Sequence, residues 1–184
     1  MTPADVPTKK RAALKKTYAE KRWHVRVFVY KAFNLRPRPN GEYPSPFLKV
    51  YNREGNERTT RDIPLAQTLD PDFYQSFELI ALLPGQSRLH IEVWDFQLLQ
   101  ESLLGETIID LEDRLFCEGW QNKQREDKLP RERRPLLNPG NANPQGSIEV
   151  KVDILDKKAA IASPMINIEP PHTDMFELRV VVWE

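Results

Sequence analysis

The chain has 184 residues, enough for one substantial core with length left for tails. Its 27 basic and 27 acidic side chains cancel, so no global field recruits nucleic acid or an acidic membrane, and any attraction must be local. Sixteen prolines against seven glycines point to an ordered, β-rich domain with stiffened loops, and the lone Cys117 excludes an internal disulfide.

Residues 1–22 form a basic extension, with Lys9, Lys10, Arg11, Lys15, Lys16, Lys21 and Arg22 against Asp5 and Glu20. A charge run of this kind reads as a solvated helix or linker before it reads as a head-group contact. Ordered structure is expected from Trp23. In WHVRVFVYKA, Val25, Val27 and Val29 share one face while Arg26, Phe28 and Tyr30 share the other, which is the period of a strand. FNLRPRPNGEYPSPFLKV (33–50) follows, a loop stiffened by Pro37, Pro39 and Pro44, turned at Asn40-Gly41, and holding a single acid, Glu42.

Further strands are predicted at FLKVYN (47–52), around ERTTR (57–61), at FYQSFELIALL (73–83), at RLHIEVWD (88–95) and at LLGETIIDL (103–111). One short helix fits LEDRLFCEGW (111–120). LPRERRPLLNPGNANPQ (129–145) reads as a proline-rich surface excursion with one strand near 135–137. GSIEVKVDIL (146–155) closes the series, its Ile148, Val150, Val152 and Ile154 facing inward. Short strands parted by turn signals predict an all-β, eight-stranded antiparallel sandwich over residues 23–155. Residues 156–175 have linker composition. FELRVVVWE (176–184) parallels WHVRVFVYK, with Arg179 matching Arg26 and Val180 matching Val27, and reads as the first strand of a second, similar domain. A final strand of the same sandwich is the other reading.

Catalytic patterns are missing. The histidines His24, His90 and His172 are scattered, no HxxxH or CxxC spacing predicts structural zinc, and no phosphate loop or GxSxG elbow occurs. The chain is therefore expected not to be an enzyme. No apolar run approaches a bilayer span and no signal peptide opens the chain.

The opening strand, SPFLKV (45–50), TLDPDFYQSFEL (68–79) and EVWDFQLLQESLLGETIIDL (92–111) together resemble the C2 domain, and the strand order resembles its type II permutation. Within that family LLGETIIDLEDRL (103–115) and the first loop are similar to ferlins, large tail-anchored proteins with tandem C2 domains. The linker and LRVVVWE resemble the passage between two of their C-terminal domains. One departure is the short excursion before the last strand, where ferlin domains often carry a long insertion.

The resemblance implies calcium ligands at Pro39 and Ser45 in the first loop, and at Asp95, Gln97 and Glu101 or Ser102 in the facing loop. Most of these positions have no carboxylate, so no cofactor is expected, and calcium is expected to bind weakly or not at all, with Asp95 and Glu101 as residual candidates. Arg36, Arg38, Tyr43, Leu98, Leu99 and Leu103 are then candidates for contact with an anionic phospholipid membrane, the leucines alternatively sealing the sandwich end. Lys49, Arg58 and Arg61 form a candidate basic face, blunted by Glu54 and Glu57. The implied function is calcium-insensitive membrane attachment or scaffolding in vesicle docking and fusion. The implied setting is the cytoplasmic face of a membrane, in a parent anchored by a segment outside this chain. The alternative is a protein-interaction module that packs against neighbouring C2 domains, with dimerisation through 176–184 as one outcome.

Overall fold

The computed structural model describes residues 19–53, 56–126, 128–141, 143–170, 177 and 179–183. Residues 1–18 of the predicted basic extension, and most of 171–178, lie outside the described residues. Two four-stranded antiparallel sheets stack face to face. One has the order β4-β1-β8-β7, from Asp72–Leu83, Lys21–Phe33, Ser147–Leu155 and Glu132–Pro135. The other has the order β3-β2-β5-β6, from Glu57–Thr59, Pro46–Tyr51, Arg88–Asp95 and Ser102–Asp110. Opening strand β1 pairs with closing strand β8, as the type II order requires.

The alternation read from sequence is the alternation that packs. Val25, Val27 and Val29 of β1 meet Leu48 and Val50 of β2, Ile91 and Val93 of β5, and Ile148 and Val150 of β8 in one core. Phe73 and Phe77 enter the same core from β4. Arg26, Phe28 and Tyr30, on the other face of β1, are buried too. Arg131 lies 3.9 Å from the Tyr30 ring and Lys151 lies 5.8 Å from Phe28, so cations lie over aromatics that water would otherwise meet.

Three parts differ from the sequence expectation. The single helix predicted at 111–120 is two helices, α1 (Leu111–Phe116) and α2 (Glu118–Arg125), meeting at Cys117. Asp110 caps the first by accepting from the Glu112 and Asp113 amides. The second runs on because Glu118 opens it and Lys123 and Arg125 close it, charges that complement the helix dipole.

The predicted surface excursion is partly core. Leu136 is fully buried, and Leu137 exchanges two backbone hydrogen bonds with Glu106 of the opposite sheet, at 2.7 and 2.8 Å. The segment therefore staples the sandwich shut at one edge. Its strand β7 lies at Glu132–Pro135, slightly earlier than expected.

The predicted linker begins as a helix, α3 (Lys157–Ala162), docked on β1. Asp156 caps its start, accepting from the Ala159 amide at 2.7 Å. Arg26 reaches its end and donates to the carbonyls of Ala160, at 2.9 Å, and of Ser163. Those are the carbonyls a helix leaves without intrahelical partners, so a guanidinium there supplies both hydrogen bonds and the charge the dipole favours. Residues 177 and 179–183 lie in no strand, and Val180, Val181, Val182 and Trp183 are exposed.

Candidate functional site

The antiparallel ladders gather four connections at one end of the sandwich: 34–45, 60–71, 96–101 and 136–146. The first is built as a rigid turn. Gly41 donates to the Arg38 carbonyl at 2.9 Å, Arg38 donates to the Glu42 carbonyl at 2.8 Å, and Gly41 takes φ +86°, a value glycine adopts without strain. Pro39 presets the turn's second residue, and buried Leu35 and Pro44 pin the loop's base.

This turn aims Arg38 inward. Its Nε donates to Asp95 Oδ2 at 2.7 Å and its Nη2 to Asp95 Oδ1 at 2.8 Å, a bidentate pair in which Asp95 is 0% and Arg38 14% exposed. The Ser45 amide adds a bond to Oδ1 at 2.8 Å, and Gln97 Nε2 a bond to Oδ2 at 2.8 Å. A carboxylate offers about four lone-pair sites, and here four donors use them. Burial pushes the Asp95 carboxyl up, but the bonds from Arg38, Ser45 and Gln97 outweigh it and hold it below its usual value. Arg38 is in turn held more firmly protonated.

Glu101 is also committed. It pairs with Arg61 and lies 3.4 Å from Lys49 Nζ, and the Arg61 bond holds its carboxyl below the usual range. With Pro39 contributing no side-chain ligand, Gln97 offering only a neutral carbonyl oxygen, and Asp95 and Glu101 both bound to cations, this donor set leaves no free carboxylate for a calcium ion. Such an ion needs six to eight free oxygens.

The remaining sequence candidates separate into two groups. Tyr43, Leu98 and Leu99 project from the loops, the last two 95% and 101% exposed, so these leucines do not fold back to seal the end. Arg36 is exposed and pairs with no carboxylate among the described residues. Arg38, expected at the tip, instead faces Asp95. Leu103 is half-buried within β6 opposite Trp94, away from the loop tip. The predicted basic face also breaks up. Lys49 lies over Trp94 at 4.2 Å and beside Glu101, Arg61 holds Glu101, and Arg58 stands opposite core residue Val50, on the other face of its edge strand. Sequence reasoning missed Ile63 in the second loop, which is 79% exposed. An isoleucine between Asp62 and Pro64, outside any strand pattern, was the available signal. Each of the first three loops thus presents an exposed apolar side chain.

The C2 domain family model matches residues 23–129. The chain belongs to the C2 domain family. Its sequence relatives include ferlins. It is 29% identical over 164 residues to Ferlin 2 of Toxoplasma gondii, covering 86% of this chain and 11% of that protein. It is 38% identical over 94 residues to Fer-1-like protein 4 of Mus musculus, covering 50% of this chain and 5% of that one. This is a ferlin-like C2 domain, and it spans about a tenth or less of the length of these relatives. Among solved structures, a C2 domain of plant Extended Synaptotagmin 1 superposes with a TM-score of 0.53 at 18% identity, covering 72% of this chain and 93% of that one. A multi-domain structure of Extended-Synaptotagmin 2, which includes two C2 domains, gives 0.56 at 19%, covering 80% and 30%. These likenesses support the fold alone.

Proposed function

We propose that this C2 domain is a calcium-independent membrane-attachment module of a ferlin-like membrane-trafficking protein, with no catalytic role. The observation that carries the reading is the Arg38–Asp95 pair. In place of a divalent ion bridging two loops, the chain uses its own guanidinium, so the loop end is organised at any calcium concentration. Tyr43, Ile63, Leu98 and Leu99 supply the apolar tip, and Arg36 the cation that anionic head groups attract, at about 1 kcal/mol for a basic residue near the surface. Burying two exposed leucines in the acyl boundary contributes about 3 kcal/mol, near the lower end for full side-chain burial. No described helix is long and apolar enough to cross a membrane.

The test is co-sedimentation of the full chain with vesicles of phosphatidylcholine alone and with added phosphatidylserine. Leu98→Ser/Leu99→Ser should lose roughly 100-fold in affinity, the equivalent of about 3 kcal/mol, without losing thermal stability. Binding unchanged by that double substitution removes the loops from the account. The exposed Val180–Trp183 segment favours the second reading, attachment to a neighbouring domain or a second copy. Concentration-dependent dimerisation abolished by deleting 176–184, without vesicle binding, would support it.

A further inference from the structure

The outer face of the β3-β2-β5-β6 sheet carries a second constellation. Strand alternation puts His90 and Glu92 on one side of β5, and the β5–β6 register places Glu106 directly opposite Glu92. One ligand atom from each of the three lies within 4.8 Å of the others. Like charges directly opposite in a sheet repel, and the balancing cation is not where the register suggests. Lys49 is the cross-strand partner of Glu92, yet its ammonium is drawn to Glu101 and the Trp94 ring. The ionisable base that Glu106 does meet is His90.

The three groups are also held as ligands are held. Glu92 is buried, and each of its oxygens accepts one hydrogen bond, from the Tyr51 hydroxyl at 2.6 Å and from Trp94 Nε1 at 2.7 Å. That fixes its plane and leaves further lone pairs free. The His90 imidazole stacks on Tyr51, with centroids 4.7 Å apart and planes within 3°. His90 Nδ1 lies 3.4 Å from Glu106 Oε2. Two donors on a tetrahedral zinc at about 2.0–2.1 Å are about 3.3 Å apart, so this edge of the polyhedron already has its length.

We propose that His90, Glu92 and Glu106 form a binding site for a borderline divalent transition-metal ion, of which zinc is the type, independent of the loop end. One imidazole nitrogen and two carboxylates make a three-ligand set with a fourth position open to water. Calcium, which takes oxygen ligands and more of them, is excluded by the imidazole and the ligand count. His90 and Glu106 are 21% and 22% exposed, which gives an ion a path in.

The experiment is isothermal titration of the chelator-cleared full chain with zinc chloride, in the Cys117→Ser background because the exposed Cys117 thiol would compete. One zinc per chain at micromolar free metal is expected, with a weakening of roughly tenfold or more in His90→Ala and again in Glu106→Gln. Cobalt in place of zinc should give the visible absorption of a four-coordinate ion, lost in both variants. Glu106→Gln is isosteric and part-exposed, so its fold is secure even if another variant misfolds. No uptake up to millimolar zinc, or uptake unchanged in both variants, overturns the site. Stoichiometric uptake unaffected by millimolar calcium and lost in Glu106→Gln supports it, whatever the vesicle experiments find.

Discussion

Replacing Arg38 by methionine keeps the apolar stem of the side chain and removes its guanidinium charge. Asp95, with no exposed surface, is then a buried carboxylate without a cation. Breaking a buried pair by deleting one partner costs about 3–5 kcal/mol. The Ser45 amide and Gln97 still donate to Asp95, which places the expected cost near the lower figure, about 3 kcal/mol. For a domain of this size each kcal/mol moves the midpoint by about 3–4 °C, so Tm should fall by roughly 10 °C. The double variant Arg38→Met/Asp95→Asn leaves no uncompensated charge and should recover most of that loss. Thermal and urea unfolding of the wild type, both single variants and the double variant give the coupling directly. A cost below about 1 kcal/mol for Arg38→Met, the behaviour of an exposed pair, would refute the claim that the guanidinium organises this loop end.

Gly105 lies against Leu136, whose Cβ is 2.9 Å from where an alanine Cβ would stand, so Gly105→Ala should destabilise by about 1–3 kcal/mol, read by urea unfolding. Arg26→Ala removes the donors that hold the end of α3, and amide exchange over 157–163 should accelerate while the strands stay protected. The carboxyls of Asp95, Glu101 and Glu78 are all held below their usual values. A depressed carboxyl contributes stability that is fully present above the unfolded value of about 4 and lost as pH falls through the folded value. Denaturation midpoints should therefore stay level from neutral pH to about 5, drop below about 4, and drop less steeply in Asp95→Asn.

Most of the fold was legible because its information is local. Val25, Val27 and Val29 announce a strand by period alone, and Ile148 to Ile154 announce another. That Pro39 has no side-chain oxygen and Gln97 no charge is legible in the same way, wherever the fold places them. What faces Asp95 was not legible. Arg38 and Asp95 are 57 positions apart, and a sequence shows a loop arginine without showing that a proline-set turn aims it inward.

The docked α3 was missed for a similar reason. Its alanine-rich turns carry helix propensity, but a six-residue helix depends on Arg26, 134 positions away, for its last carbonyls. The His90–Glu92–Glu106 group left half a trace, the i, i+2 spacing on a strand. Motif spacings for zinc are sought along the chain, and here the third ligand arrives from the adjacent strand.

The most direct test of the central claim is vesicle co-sedimentation of the wild-type chain across a calcium titration, from excess chelator to millimolar ion. The account predicts the same binding to phosphatidylserine-containing vesicles at every calcium level, because the cation between the loops is part of the protein. Binding that appears only when calcium is added would contradict it, since the ion would then have to find oxygens that Arg38, Ser45 and Gln97 now occupy.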